Sequence, residues 1–275
     1  MRSRTLLAKM GLTAVLICIS IIFIFPFYWM LVSSFRDLGE IFTQKLTLLP
    51  KNPQLTNYVR LVTEKPFFRW YLNSLIFVVG YVAIGVFICS LGGYAFAKYR
   101  FRFQNFLFLL IIIGHMLPVH MQLIPLFIIL TKTKLINTYT GLILPMTPNP
   151  MGIFLVRQYM VGLDDSLIDS ARIDGASEWR IFFKIIMPVS RPVIAALAIL
   201  LALFAWNDLL WPLTVMRTEN MFTLSVGLAS MIGLYRPEYG LVMAGSTLSV
   251  LPIVIFFLFM QRHFITGITA GSVKG

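Results

Sequence analysis

Charged residues are scarce in this chain of 275 amino acids. Asp, Glu, Lys and Arg make up 12% of it and hydrophobic residues 58%, whereas soluble domains carry about a quarter charged residues. The charges present are mostly basic, with 23 Lys and Arg against 11 Asp and Glu. They stand singly between apolar runs and form no basic stripe, which argues against a nucleic-acid-binding protein. The composition indicates a chain whose solvent is a lipid bilayer, with basic residues flanking its spans near anionic lipid.

Motifs for catalysis and nucleotide binding are absent as well. The sequence has no Gly-x-x-x-x-Gly-Lys-Ser/Thr loop to cradle nucleotide phosphates, and no convincing nucleophile–base–acid set. Its two cysteines, Cys18 and Cys89, lie inside apolar runs, which indicates neither a disulfide framework nor a metal pair. His115 and His120 are five residues apart, not the four of a helical metal pair, so hydrogen bonding within a bundle is favoured over a proton relay. We therefore expect a chain that is not an enzyme and that binds no cofactor or metal itself.

Six apolar runs are each long enough to cross about 30 Å of hydrocarbon as a helix. The runs are 10–35, 70–97, 103–131, 135–156, 192–216 and 239–261; five contain no Asp, Glu, Lys or Arg, and the fifth in order contains a single acid, Asp208. The first run is too long for the core of a signal peptide, so we expect it to remain as a span. The sequence thus predicts an all-α membrane protein with one transmembrane domain over residues 1–275. The predicted spans cover about 11–33, 72–96, 106–130, 138–157, 193–213 and 240–261.

Proline and glycine residues lie within these apolar runs. The prolines should kink or end some of the helices, because proline lacks the N–H of an internal helical hydrogen bond. They are Pro26, Pro118, Pro125, Pro145 and Pro252. Gly80, Gly85 and the Gly92–Gly93 pair in the second run predict close approach of neighbouring helices.

The distribution of basic residues predicts the orientation of the chain. Arg and Lys are frequent before the first span, between the second and third, and between the fourth and fifth. By the positive-inside rule, both termini and the connection at 164–188 should be cytoplasmic. The connection at 36–69 is also basic, and it weakens the rule.

The connection at 164–188 is the one long run in which charges of both signs are dense. Its pattern predicts two short helices around a bend, with Gly175 in a left-handed cap and Ser177 as the N-cap of the second helix. An apolar stripe then follows at helical spacing, formed by Trp179, Phe182, Phe183 and Ile186. Such a segment suits docking against another protein. An amphipathic connector that lies on lipid headgroups fits the spacing equally well.

An ionisable residue stands within the fifth predicted span. Trp206, Asn207, Asp208 and Trp211 combine aromatic faces with an amide and a carboxylate, which suit the apolar face and the hydroxyls of a sugar. An acidic side chain inside a membrane span raises the free energy of the folded protein, so its presence points to a functional site. In the structural alternative, Asn207 and Asp208 bond to neighbouring helices and the tryptophans anchor the span at the membrane interface.

Both segments resemble the membrane subunits of ATP-binding-cassette importers. The loop pattern of that family is Glu-Ala-Ala, two variable residues, Asp-Gly-Ala, then Phe, Ile and Leu-Pro. This sequence keeps the pattern at Ala171, Asp174, Gly175, Ala176, Phe182, Ile185 and Pro188. It has Asp169 in place of Glu, Ser170 in place of Ala and Met187 in place of Leu, and Asp164 stands where a proline is usual before the pattern. The segment from Trp206 resembles the Trp-Asn-Asp-x-x-Trp-Pro signature of the carbohydrate branch, the maltose-transporter type. Similarity extends to Asn73-Ser-Leu, Tyr94-Ala-Phe-Ala-Lys-Tyr, Ile124-Pro-Leu and the tail from Gly267.

The resemblance implies a six-helix type I importer permease that moves a sugar or oligosaccharide across the inner (cytoplasmic) membrane. It implies a homologous second permease, two ATPase subunits that hold ATP and Mg²⁺, an extracytoplasmic solute-binding protein and the lipid bilayer as partners. The residues that it implies in ATPase coupling are Asp169, Ala171, Asp174, Gly175, Ala176, Trp179 and Phe182. Those expected along the solute path are Trp206, Asn207, Asp208 and Trp211.

Two other functions remain open from the sequence. The same scaffold also serves for the import of glycerol phosphate, a phosphodiester or a polyol. A secondary transporter or channel would act without an ATPase. It would need ion-coupling residues, and Asp208 is the only acidic residue that the predicted spans offer for that role.

Overall fold

Every regular element is helical in the computed structural model, which describes residues 2–41, 47–233 and 238–269. The prediction of an all-α protein is confirmed. The helices are α1 (Arg2–Ser34), α2 (Leu38–Ile41), α3 (Thr56–Glu64), α4 (Phe67–Lys98), α5 (Gln104–Met116), α6 (Val119–Lys132), α7 (Tyr139–Ile143), α8 (Pro150–Val161), α9 (Ser166–Ile173), α10 (Glu178–Ile181), α11 (Met187–Val189), α12 (Arg191–Asn207), α13 (Leu210–Val215), α14 (Leu224–Ser230) and α15 (Tyr239–Thr269). Single turns of 3₁₀ helix lie at Leu144–Met146 and Glu219–Met221, and a π turn lies at Phe182–Ile186.

The chain forms two compact units, and the single transmembrane domain of the sequence analysis stays a prediction. The first unit consists of residues 1–67 and 227–254, and the second of residues 68–226 and 255–275. In the first unit, the side chain of Asn57 in α3 donates to the backbone oxygens of Ser34 and Arg36, both at 2.9 Å. These oxygens lie at the end of α1, where no further helical turn supplies a donor. Asn57 thereby closes the end of α1.

The core of the second unit is built on α4. This helix is apolar on all sides, and such a helix is expected where neighbours cover it. Its inward side chains pack against α8, the π turn and α12. The buried residues of this core include Phe77, Tyr81, Cys89, Tyr94, Val156, Met160, Ile181, Phe182, Ile186, Leu197 and Leu201.

Among the described residues, two single helices have the length and apolar composition to cross a membrane, namely α1 from Lys9 onward and α4. Two further candidates result if each sharply bent helix pair counts as one span, and the described apolar part of α15, Tyr239–Ile255, is shorter. Pro26 and Pro252 lie inside continuous helices. The six spans of the sequence analysis stay a prediction.

Proline divides the third and fourth predicted spans. The third consists of α5 and α6, which meet at 102°. Leu117 between them is extended, as expected for the residue before Pro118. The fourth is divided into α7, a 3₁₀ turn around Pro145, and α8, which begins at Pro150. Pro150 is the first residue of α8, where the missing N–H costs no helical hydrogen bond, so this helix starts there readily.

Glycines in α4 allow the close contacts that the sequence predicted. A Cβ on Gly93 would lie 2.6 Å from Cγ1 of Val156 and 2.9 Å from the backbone nitrogen of Arg157. A Cβ on Gly80 would lie 2.7 Å from Cδ1 of Ile143. The neighbouring Gly92 has ordinary contacts instead, at 3.4 Å or more. Gly93 is therefore the position at which the α4 and α8 backbones approach most tightly.

We expect Gly93→Ala to destabilise the protein by about 1–3 kcal/mol, because the added methyl overpacks against Val156 and a backbone atom that cannot move aside. Gly92→Ala, one residue away on the same helix, is the matched control and should leave stability nearly unchanged. Thermal unfolding of the purified protein in detergent measures both. Equal shifts in Tm for the two variants would contradict the close approach at Gly93.

Candidate functional site

The bend of the 164–188 loop is a complete helix-ending turn. Gly175 has φ +76°, in the left-handed region, which confirms the predicted cap. Its backbone N–H donates to the oxygen of Arg172 at 3.0 Å, and that of Ala176 donates to the oxygen of Ala171 at 2.9 Å. These two bonds are the pair of a Schellman motif. The sharp end of α9 therefore follows from local sequence, with glycine at the one position that needs it.

The second helix of the loop begins at its predicted cap. Ser177 is extended, and its Oγ accepts the backbone N–H of Arg180 at 3.4 Å. The helix then widens into the π turn and continues through α11 to Val189, where α12 follows at an angle of 81°. Pro188 has no N–H to give to a regular helical bond. Single π turns are common at functional sites.

The predicted apolar stripe is divided in the structure. Phe182 and Ile186 are buried together with Ile181, whereas Trp179 and Phe183 are half exposed or more. The division follows two rows at i, i+4 spacing, one buried (Phe182 and Ile186) and one exposed (Trp179 and Phe183). The rings of Trp179 and Phe183 stack on each other with centroids 6.0 Å apart. The prediction of one four-residue stripe was therefore wrong.

The residues predicted for ATPase coupling divide into an inner and an outer group. Ala171 and Phe182 are buried in the core of the second unit, and Ala176 packs against it. The outer group comprises Asp169, Asp174, Gly175 and Trp179. Among the apolar side chains of the bend, Ile173 is 87% exposed and Trp179 59% exposed. The bend thus presents an apolar tip bordered by carboxylates.

A polar cluster joins the two helices of the bend. Nε of Arg172 in α9 donates to Oε1 of Glu178 in α10 at 2.8 Å, and the Tyr99 hydroxyl donates to Oε2 of the same carboxylate. The Arg172 guanidinium, and after it the Tyr99 hydroxyl, hold the pKa of Glu178 below its usual value. The carboxylate contacts are therefore present at neutral pH and are lost only as pH falls through that lowered pKa.

Sequence reasoning missed the roles of Tyr99 and Glu178. In the sequence, Glu178 is an acid directly after the predicted N-cap Ser177, where the helix dipole favours an acid, and Tyr99 stands out only as part of the Tyr94-Ala-Phe-Ala-Lys-Tyr motif. The two residues are 79 positions apart in the chain. No local periodicity connects them, so the motif itself was the only signal available.

The Trp206–Leu213 segment is a break between two helices. After α12 ends at Asn207, Asp208 is extended, and its Oδ1 accepts the backbone N–H of Trp211 at 3.3 Å. Nε1 of the buried Trp211 donates to the oxygen of Leu142 at 2.8 Å. Asp208 thus stabilises the start of α13, and Trp211 satisfies a carbonyl of α7. For Asp208 and Trp211 these contacts favour a role in holding the helices together over a direct contact with a sugar.

Asn207 is exposed, Trp206 and Asp208 are partly exposed, and Trp211 is buried. The Asn207 side chain is exposed and donates to the oxygen of Leu203 at 2.8 Å, one turn back. Trp206 is partly exposed and meets the ring of Tyr71 edge to face, with centroids 5.7 Å apart. An amide and two aromatic rings are therefore grouped at the end of α12.

The histidines flank the sharp bend between α5 and α6. His115 and His120 are both exposed there. Across the described residues, no group of three or more His, Cys, Asp or Glu side chains is placed to hold a metal ion.

Both segments lie in a region that matches a known protein family. Residues 82–269 match the family described as binding-protein-dependent transport system inner membrane component. The chain belongs to this family.

Relatives of similar length support the assignment. The chain is 42% identical over 260 residues to an arabinooligosaccharides transport system permease protein of Halalkalibacterium halodurans, covering 94% of this chain and 93% of the relative. It is 38% identical over 270 residues to the protein of that name in Bacillus subtilis, covering 97% and 96%. The crystal structure of a bacterial ABC transporter involved in import of the acidic polysaccharide alginate is similar in fold, with a TM-score of 0.82, 22% identity, and coverage of 96% and 98%.

Membership in this transport family makes the chain an inner membrane component of a transport system with the type I ABC importer permease fold. The 164–188 bend and the Trp206–Leu213 break both fall within the family region. Residues 270–275, the end of the family-like tail, lie outside the described residues.

We expect Asp208→Ala to destabilise the protein by about 0.5–2 kcal/mol, because the Trp211 N–H loses its acceptor. Asp208→Asn should retain most of the stability, since an amide oxygen can accept the same bond. Thermal unfolding in detergent compares the two. If the Asn variant loses as much stability as the Ala variant, the negative charge rather than the cap is what Asp208 contributes.

Proposed function

We propose that this chain is one of two permease subunits of an ATP-driven importer for oligosaccharides. The observation that carries the proposal is the bend at Gly175, whose fixed geometry exposes Ile173 and Trp179 on a tip. Large exposed apolar side chains rimmed by polar groups mark interaction sites. The relatives named as arabinooligosaccharide permeases support the substrate class.

The charge of the bend favours a protein partner over lipid headgroups. Five of the 11 acidic residues of the chain lie between 164 and 178, and only one basic residue, Arg172, lies among them. A segment that rests on an anionic membrane surface is typically rich in Lys and Arg. Carboxylates at the tip would be repelled there. A cytoplasmic ATPase subunit is the partner that fits the proposed transport.

In this proposal, ATP and Mg²⁺ bind to two partner ATPase subunits, because this chain has no phosphate-binding loop of its own. Closure of the ATPase pair displaces the docked bend, and the helices of the permease pair change from inward-facing to outward-facing. A solute-binding protein delivers the sugar on the outer side. Both termini and the bend then lie in the cytoplasm, as the positive-inside rule favours.

The solute path is proposed to include Trp206 and Asn207, whose surfaces are accessible. Trp211 and Asp208 hold the shape of this part of the path through their bonds to Leu142 and to the start of α13. A sugar ring would lie against the indole face while the amide bonds to hydroxyls.

Gly175→Asp should abolish uptake while the protein remains in the membrane. A Cβ at Gly175 meets nothing within 4 Å, and Asp and Asn tolerate the left-handed region better than other side chains. The variant should therefore fold, and the added carboxylate would act at the docked surface. Gly175→Asn adds a side chain of equal size without the charge, so it distinguishes electrostatic repulsion at the docked surface from steric obstruction by the added side chain. Both are measured by uptake and by ATPase stimulation in the assembled complex. Normal uptake by Gly175→Asp would contradict docking at this turn.

The proposed function is tested in proteoliposomes that contain this chain, its companion permease, the ATPase subunits and the binding protein. Uptake of a labelled arabinooligosaccharide should require ATP and persist with an ionophore present, and Asn207→Ala should raise the KM of uptake. Uptake driven by an ion gradient alone would support a secondary transporter instead. Uptake of glycerol phosphate in place of sugar would overturn the substrate class.

A further inference from the structure

The C-terminal end of α4 contacts the 164–188 loop at two separate points. Nζ of Lys98 donates to the backbone oxygen of Leu163 at 2.6 Å and pairs with Oδ1 of Asp165 at 2.5 Å. The next residue, Tyr99, donates to Glu178. One contact lies just before α9 and the other at the first residue of α10. Lys98, the last residue of α4, and Tyr99, the residue that follows it, therefore contact the two ends of the bend.

The contact of Lys98 is the more strongly held of the two. Its side chain is only 4% exposed, although its partner Asp165 is largely exposed. A buried ammonium that loses its acceptors is strongly destabilising, because no water replaces them. The backbone oxygen of Leu163 is an acceptor that no change in side-chain conformation removes. The start of the loop is therefore fixed to α4.

The contact of Tyr99 reaches both helices of the bend at once. Glu178 accepts from Tyr99 and from Arg172, and the Arg172 guanidinium carbon lies 5.8 Å from the centroid of the Tyr99 ring. The ring of Tyr94 in α4 lies 5.3 Å from that of Tyr99 and 5.5 Å from that of Phe182. Exposed ion pairs alone are weak, but here an aromatic layer packs beneath the pair. The bend is thus held at both of its ends, at Leu163 and Asp165 by Lys98 and at Glu178 by Tyr99.

We propose that Lys98 and Tyr99 are positioning residues that fix the bend to α4, so that displacement of the bend is delivered directly to this central helix. The inference rests on the proposed function, in which a partner displaces the bend. Without the Lys98 contact, the bend still presents its tip to the partner but moves independently of α4. ATP hydrolysis then continues while transport is lost.

The test compares Lys98→Met, which keeps the length of the side chain and removes its charge, with Lys98→Arg, which restores the charge. Lys132→Met is the control, since Lys132 is an exposed lysine at the end of α6. In proteoliposomes with the ATPases and the binding protein, the readout is the number of solute molecules imported per ATP hydrolysed. Lys98→Met should retain the ATPase subunits and hydrolyse ATP, with this ratio at least about tenfold lower, as a loss of about 1.4 kcal/mol in coupling implies. Lys98→Arg should recover most of the ratio, and Lys132→Met should match the unmodified protein.

An unchanged ratio in Lys98→Met would overturn the inference, and so would a loss of ATPase binding, which would indicate damage to the docking surface itself. Failure of the unmodified complex to couple ATP to uptake would instead refute the proposed function. Tyr99→Phe removes only the hydroxyl and covers the case in which Lys98→Met does not fold; it should lower the ratio less. Amide hydrogen exchange of residues 164–178 in the purified chain is independent of transport. It should accelerate in Lys98→Met but not in Lys132→Met, and equal exchange would also overturn the inference.

Discussion

Each break in the helices of this protein has to satisfy its own backbone donors, because hydrocarbon offers no water to replace a lost bond. An unsatisfied backbone group there costs several kcal/mol. Short polar side chains meet this requirement at three breaks within the predicted spans, and a serine caps a helix in the same way at the bend, which lies outside those spans. Thr138 accepts from Gly141, Asn149 from Gly152, Ser177 from Arg180, and Asp208 from Trp211. The positions of these side chains decide where the chain can turn, and hence where the bend and the solute-side break lie.

Features that depend on neighbouring residues could be predicted from the sequence. The left-handed position at the end of α9 favours a glycine such as Gly175, and the N-cap of α10 favours a residue such as Ser177, whose hydroxyl accepts a backbone N–H. Both preferences follow from the residue type alone. The long apolar helices α1 and α4 likewise follow from composition. The fourth predicted span shows the limit, since apolar composition does not distinguish one helix from the short helices between Pro145 and Pro150.

Features that depend on register or on distant residues could not be predicted. Which of the apolar side chains after Ser177 face inward depends on packing with distant residues, so Ile181, Phe182 and Ile186 are buried in the core while Trp179 and Phe183 are exposed. The contact between Lys98 and Leu163 joins positions 65 residues apart, beyond any helical periodicity. For Asp208 the sequence left both a solute contact and a structural bond open. The structure supplies the bond to Trp211, while Trp206 and Asn207 keep the accessible surface that a solute contact needs.

The account depends on the bend and α4 moving together. Spin labels at Arg100 and Ile173, both exposed, would measure this, after the exposed native Cys18 has been replaced by serine. A second label pair, between Ile173 and the companion permease, reports that the complex has changed state on addition of ATP. The account predicts that the distance between Arg100 and Ile173 stays the same in the nucleotide-free and ATP-bound complexes while the second distance changes. A change in the first distance between those states would contradict it.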